Sequence, residues 1–357
     1  MRMMRRILPC AILVLLIAFT AGYAQRPNQM AQGGVSATIA AKKPVFAGAC
    51  KACPWGILAR VTADALSFYG YQTTICWVCW SNFGPRQMAD KTKPTVPPGA
   101  EENAEYIELP PPDAVPDISA TSESNLIDAW NGTGAYAADK KQRRNYRVIA
   151  VVRTSTYMLA AASKKSGITS LSQIKDRKEP TWIAGTNNSI VLDYYGIKAD
   201  DLKTKGGGMM PGNSSREKRA SADVFIGTGL LANTPEQRMW YEISQLNDLV
   251  FLDFDEPLIA KMAQQPGYQK ATVPLALFRG VTHPIPTVMR PNHLIYVRDE
   301  APDDFAYAVA KALDEHRDLF QVQLEPWYYD PQTVAVSKTI PLHTGAIKYY
   351  RERGYVK

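Results

Sequence analysis

Four cysteines stand in two C-x-x-C pairs, Cys50-Lys51-Ala52-Cys53 and Cys76-Trp77-Val78-Cys79. Thiolates at this spacing can hold a tetrahedral zinc or an iron-sulfur cluster, a thiol just before a helix can do redox chemistry, and oxidised thiols can staple loops. The compartment weighs among these. Met1 to Arg6 is basic, Ile7 to Gly22 is largely apolar but broken by Pro9, and Gly22-Tyr23-Ala24 offers small residues for cleavage. Residues 1–24 therefore read as an export signal peptide, too short for a membrane span, whose removal takes Cys10 with it. Outside the cytoplasm thiols are oxidised, so disulfides among Cys50, Cys53, Cys76 and Cys79, of undetermined pairing, are the first reading. A metal held by the same four thiolates is the alternative, with thiol-disulfide chemistry beside it.

Two polar constellations could hold a small solute. Thr186-Asn187-Asn188-Ser189 lies where a strand turns into a helix, and backbone N–H groups there can receive a carboxylate or phosphate; the same residues also make a plain helix cap. Arg153-Thr154-Ser155-Thr156-Tyr157 offers a guanidinium fork beside hydroxyls, suited to an anion, although an exposed arginine in a salt bridge is the bland alternative. Trp55 and Asn82 follow the first two strands, where Trp55 can wall off a ligand or fill the core. Catalytic motifs are missing: there is no nucleophile elbow, phosphate-binding Gly-x4-Gly-Lys, zinc-protease helix or G-x-G-x-x-G. The four histidines (His283, His293, His316, His343) lack ligand spacing and read as surface or capping residues, and Asp303-Asp304 suits a helix start. Binding is expected, without catalysis and without a cofactor.

The elements that must position these residues follow from the pattern along the chain. Its 357 residues are 46% hydrophobic, enough for a large core and two lobes with a cleft between them. The charge of +7 falls to +4 once Arg2, Arg5 and Arg6 are lost, and no basic stripe points to nucleic acid. Gln25 to Lys43 reads as a flexible start in which 35–39 is weakly extended. Pro44–Ala49 is a strand, Ile57 to Tyr69 carries helical spacing, and Tyr71–Val78 is a second strand, together a βαβ unit whose ligand edge is the rim bearing the cysteines. Lys91–Pro116 is a Pro-rich excursion and Ser124–Trp130 a short helix. Arg147–Ala162 is a β-rich run too long for one typical strand and suited to crossing between lobes. Thr181–Ala184 and Ala222–Gly227 are strands, Ile190–Tyr195 is a helix and Gly206–Gly208 a loop. Leu249–Leu252 and His293–Val297 are strands, and Pro302–Phe320 is one amphipathic helix.

The C-terminal run Ile340-Pro341-Leu342-His343-Thr344-Gly345-Ala346-Ile347-Lys348-Tyr349-Tyr350-Arg351-Glu352-Arg353-Gly354 resembles the closing P-L-H-x-G-A-x-x-Y-Y-x-x-x-G of the TAXI-type receptors of tripartite ATP-independent periplasmic (TRAP) transporters. Ser166–Lys175 is similar to that family's S-G-I-x-S-x-x-D-L-K, with Gln173 for Asp, and Ala301–Leu313 resembles a later helix. The resemblance implies an α/β, two-lobe type II periplasmic binding protein fold with two interlobe crossings, in the periplasm of a Gram-negative bacterium. It implies lobes at 44–158 plus 228–357 and at 159–227, with hinges near Tyr157 and Thr228. A monomer would capture a small solute and hand it to TRAP permease subunits in the inner membrane. A helix start facing an arginine favours a carboxylate, with Trp55, Asn82, Arg153, Ser155, Tyr157, Thr186, Asn187, Asn188, Ser189 and Thr228 around it.

Overall fold

A computed structural model describes residues 36–47, 54–77, 83–92, 115–185, 188–210, 214–230, 239–265, 267–323 and 328–357. The expected signal peptide and most of the Pro-rich excursion lie outside them. The fold opens with α1 (Ala37–Ala40), β1 (Val45–Ala47), α2 (Pro54–Ser67), β2 (Thr74–Ile75), α3 (Phe83–Asp90), β3 (Ile118–Ser122), α4 (Glu123–Asn131) and the 18-residue β4 (Tyr146–Ser163). Then come α5 (Gln173–Asp176), β5 (Trp182–Ala184), α6 (Ser189–Tyr194), α7 (Ala199–Thr204), β6 (Gly208–Met209), α8 (Arg216–Ala220), β7 (Val224–Leu230), α9 (Met239–Leu246), β8 (Leu249–Phe251), α10 (Glu256–Ala263) and β9 (Gln269–Val273). The chain returns along β10 (Ile285–Arg298) and closes with α11 (Asp303–Glu315), α12 (Asp318–Gln323) and α13 (Thr344–Glu352).

The architecture is α/β with two halves. Strand order is β2-β1-β3-β10-β4-β7-β5-β6, with β8 on β4 and β9 on β10. β1, β2 and β3 run parallel in one half and β5, β6 and β7 in the other, while β4 and β10 pair antiparallel and run through both. Two crossings were expected, and β4 is one of them. The other is β10, which begins eight residues before the strand expected at His293. Pro286 and Pro291 hide that beginning, because proline donates nothing to a ladder; Pro286 pairs with Thr272 on β9, which pairs with β10, and Pro291 falls at a register break.

The stretches 148–152 and 158–162 of β4 and 293–297 of β10 are buried on both faces and carry mostly apolar residues without alternation in polarity. Along β10, Ile295 and Val297 enter a core with Phe46, Leu58, Phe305 and Leu313, whereas Leu294 and Tyr296 join Leu126, Tyr136 and Tyr146 on the opposite side. Along β4, Met158, Ala160 and Ala162 face Ile183, Val224 and Leu258, while Leu159 and Ala161 face Phe225 and Trp240. Buried apolar residues between 240 and 288 therefore pack in the second half, and the clusters part near residues 153–156 on β4 and 290–292 on β10.

Three smaller expectations are also revised. Thr38 and Ile39 belong to the helical turn α1, pinned where the Thr38 hydroxyl donates to Asp117 at 2.6 Å and Ile39 enters the core. The helix expected over 302–320 breaks after Glu315: His316 stacks on Phe68 at 3.9 Å, and the separate helix α12 buries Phe320. Gly208 leaves the glycine loop to start β6.

The C-terminal motif docks α13. Val148 N–H donates to Pro341 carbonyl and His343 N–H to Val148 carbonyl, at 2.9 and 2.8 Å. Buried His343 accepts the Gly345 N–H on Nδ1 (3.2 Å) and lies 3.0 Å from the Ala301 carbonyl through Nε2. Burial holds its pKa below the ordinary value despite the nearby Asp303 carboxylate. Gly345 is required here, since a Cβ would stand 2.0 Å from the Asp303 carbonyl oxygen.

Candidate functional site

The carboxyl ends of the parallel strands in both halves meet the crossing. In the first half, β1 leads toward α2 and β3 runs directly into α4; Ser122, last in β3, caps α4 by accepting the Asn125 N–H at 3.3 Å and pairs in register with His293 of β10. In the second half, β5 leads to α6, and β7 ends beside Thr156 and Tyr157 of β4. The β5–α6 turn needs Gly185, whose φ is +136° and whose added Cβ would stand 1.8 Å from the Ile226 carbonyl oxygen.

At the crossing the ladder is irregular for a chemical reason. Arg290 pairs with Thr156 and Asn292 with Arg153, so Pro291 of β10 faces two residues of β4, Thr154 and Ser155. Proline has no N–H to give, and β4 bulges around it. The Thr154 hydroxyl donates to the Arg290 carbonyl at 2.7 Å, and Thr156 donates to Thr154 at 3.3 Å. Both threonines are buried, so the bulge is internally satisfied and holds the Arg290 backbone in place.

Around this bulge stand the groups that could meet a solute. The Trp55 indole N–H, at the start of α2, donates to Nδ1 of His293 at 2.7 Å, with the rings edge-on. His293 is buried rather than on the surface, and its pKa is pushed down to about 3, first by burial and then by the Arg290 charge. It is a neutral acceptor at physiological pH. The Arg290 guanidinium donates to the Ser124 hydroxyl at 3.0 Å and stands 5.4 Å from the centre of the Tyr268 ring. Asn292 donates to Glu123 at 3.0 Å. The turn between α10 and β9 also approaches α4, for a Cβ on Gly267 (φ +74°) would lie 3.0 Å from Ser124 Cβ. The two halves thus touch at the crossing.

The expected site residues divide among several places. Trp55, Tyr157 and Thr228 lie on the elements that reach the crossing: Trp55 is half-buried on His293, Tyr157 packs beside the Trp240 core, and buried Thr228 pairs with Met158. Arg153 points into an ion pair with Asp330 at 2.9 Å and is 47% exposed. Burial would raise the Asp330 pKa, but the Gln332 N–H, Arg153 and Thr333 outweigh it and hold the carboxyl below its ordinary value. Asn188 donates to the Ile226 carbonyl at 3.3 Å, across the β5–β7 edge, and its side chain makes no cap bond. Ser189 begins α6 and is exposed. Ser155 sits in the β4 bulge. Asn82, Thr186 and Asn187 lie outside the described residues, as do Cys50, Cys53 and Cys79.

Cys76 is buried just after β2 and is disulfide-bonded. Among the described residues no cluster of three or more His, Cys, Asp or Glu could hold a metal. No described helix is long and apolar enough to cross a membrane. A surface hollow of about 300 Å³ lined by Ser163, Lys164, Lys165, Asp248 and Arg279 lies beyond the C-terminal end of β4 and contains none of the expected residues. Sequence reasoning missed Arg290, Glu123, Ser124 and the role of His293. A cation placed between two prolines within a β run was the available signal for Arg290.

A family model described as the NMT1-like family matches residues 68–354. Among solved structures, the chain is similar to MatC from Rhodopseudomonas palustris with bound malate: 9% identity, covering 80% of this chain and 88% of that one, TM-score 0.40. It is similar to a TctC solute-binding protein from Polaromonas at 10% identity, covering 79% and 88%, TM-score 0.40. A TRAP periplasmic solute-binding protein from Rhodobacter sphaeroides is 10% identical over 79% of this chain and 81% of that one, TM-score 0.37.

Proposed function

We propose that this chain, which belongs to the NMT1-like family, is an exported solute-binding receptor. It captures a small carboxylate at the crossing of its two halves and delivers it, unaltered, to a TRAP-type permease in the inner membrane. The supporting observation is the meeting of both sets of strand ends with Arg290, Ser124, His293 and Trp55 around one bulge of two antiparallel crossing strands. A ligand touching groups from both halves favours the arrangement in which they are close, and nothing else is needed for capture to drive closure.

On this reading the halves are 36–152 with 293–357, and 157–289. The hinges are the β4 bulge at 153–156 and its partner 290–292, which are neighbours in the ladder. Adjacent hinges give closure a defined axis. The four cysteines are assigned to two structural disulfides, with no part in solute chemistry.

Calorimetry on the mature protein with organic acids, amino acids and neutral sugars tests the reading. Binding of at least one carboxylate is expected. If only sugars bind, the anionic assignment fails, and turnover of any bound compound would overturn the receptor assignment. Alkylation with and without reductant, read by mass, should find no free thiol before reduction.

A further inference from the structure

We propose that Arg290 sets the cleft's preference for an anion and ties anion capture to closure, an inference that rests on the receptor reading above. Of the four arginines on the crossing strands, Arg153 and Arg290 flank the bulge, and their surroundings differ. Arg153 already has a carboxylate, Asp330, at 2.9 Å. An incoming anion would have to displace that ion pair to use it. Among the described residues Arg290 has no carboxylate partner; its neighbours are a hydroxyl, Ser124, and the face of Tyr268. Glu123, the acid nearest in sequence to Ser124, accepts instead from Asn292 at 3.0 Å.

The two neighbours of Arg290 come from different halves. Ser124 belongs to α4 of the first half, whereas Tyr268 packs against the core of the second, in the turn whose Gly267 closes on Ser124. The guanidinium therefore sits at the contact between halves, on a backbone fixed by the Thr154 hydroxyl and the Pro291 bulge. A planar fork with unused donors receives a carboxylate through two parallel hydrogen bonds, while its cationic face remains on an aromatic ring. An anion in that fork gains partners from both halves only when they are together. The free guanidinium supplies preference, and the shared position couples occupancy to closure.

The test uses purified mature protein as wild type, Arg290→Gln, Arg290→Lys and Arg153→Gln. Succinate, glutarate and citrate serve as probes in calorimetry, small-angle scattering reports closure, and thermal unfolding confirms that each variant is folded. Losing a charge-assisted fork should weaken the tightest-binding probe by about tenfold or more in Arg290→Gln and abolish the probe-induced compaction. Arg290→Lys, which keeps the charge and is the informative variant should glutamine prevent folding, should bind between the two yet fail to compact fully. Arg153→Gln should lose less than Arg290→Gln. Affinity within about twofold of wild type in both Arg290 variants, or a loss that falls on Arg153→Gln instead, overturns the proposal while leaving the receptor reading standing. Failure of all three acids to bind wild type, with a sugar binding, removes the anionic reading and this proposal together.

Discussion

Acid should destabilise this protein through one histidine, and the size of the effect follows from the site. His293 is buried beside Arg290 and accepts the Trp55 indole N–H on Nδ1. Protonation would put a hydrogen on the atom that accepts and would bury a second positive charge. Its pKa is accordingly pushed down from 6.5 to about 3. The unfolded chain takes up a proton as pH falls through 6.5, while the folded chain resists until about 3, so the unfolded state binds more protons throughout that window and stability falls with pH. Between pH 7 and pH 5 the loss amounts to about 2 kcal/mol from this group alone. His293→Asn keeps an acceptor for Trp55 without a titrating ring. Urea unfolding at both pH values, followed by tryptophan fluorescence, should show wild type losing about 2 kcal/mol more than the variant. His343, which burial also holds below its ordinary value, is present in both proteins and cancels. Equal losses in the two proteins, to within about 0.5 kcal/mol, would refute the burial argument.

Three further outcomes are expected. Gly185→Ala forces a Cβ onto the Ile226 carbonyl at an unfavourable φ, and should cost more than about 2 kcal/mol by chemical denaturation. Thr154→Val keeps the shape of the bulge but orphans the Arg290 carbonyl, with a loss of about 1–3 kcal/mol in the same assay. Asp314→Ala removes the fully buried carboxylate that receives Tyr349 at 2.7 Å, Tyr355 at 3.0 Å and Arg353 at 3.1 Å. It should cost about 2–4 kcal/mol, with limited proteolysis cutting first in α13.

Much of the fold was legible along the chain because most of its strands are short and apolar and glycines mark several of the breaks between elements. The βαβ start, the long β4 and the helix after Ala301 follow from periodicity and breakers alone. The second crossing was only half legible. Prolines at 286 and 291 are evidence against a strand in one dimension, and they became tolerable only because Pro286 lies against β9 and Pro291 at a bulge whose open carbonyl Thr154 satisfies. The same prolines bear on the lobe bounds: with no crossing legible at β10, the apolar strand closed by Gly227 is the natural place in the sequence for the chain to return.

The candidate site shows the sharper limit. Sequence favoured Arg153 because hydroxyls surround it along the chain, yet its partner Asp330 is 177 residues away. The local signal at Arg290, a cation between two prolines, says nothing of a site, since its significance lies in Ser124 and Tyr268, brought together from the two halves. Likewise, the motif around His343 is the most recognisable stretch of the sequence and docks a helix.

Residue order by itself determined most of the extended and helical segments, where glycines let the backbone close on itself, and that β4 is long enough to cross between lobes, because these depend on local sterics and hydrophobic periodicity. Which arginine remains open to an anion, which histidine is buried neutral, and where the halves divide were decided by the tertiary structure alone, because charge pairing and burial depend on neighbours that the chain brings together only when it folds.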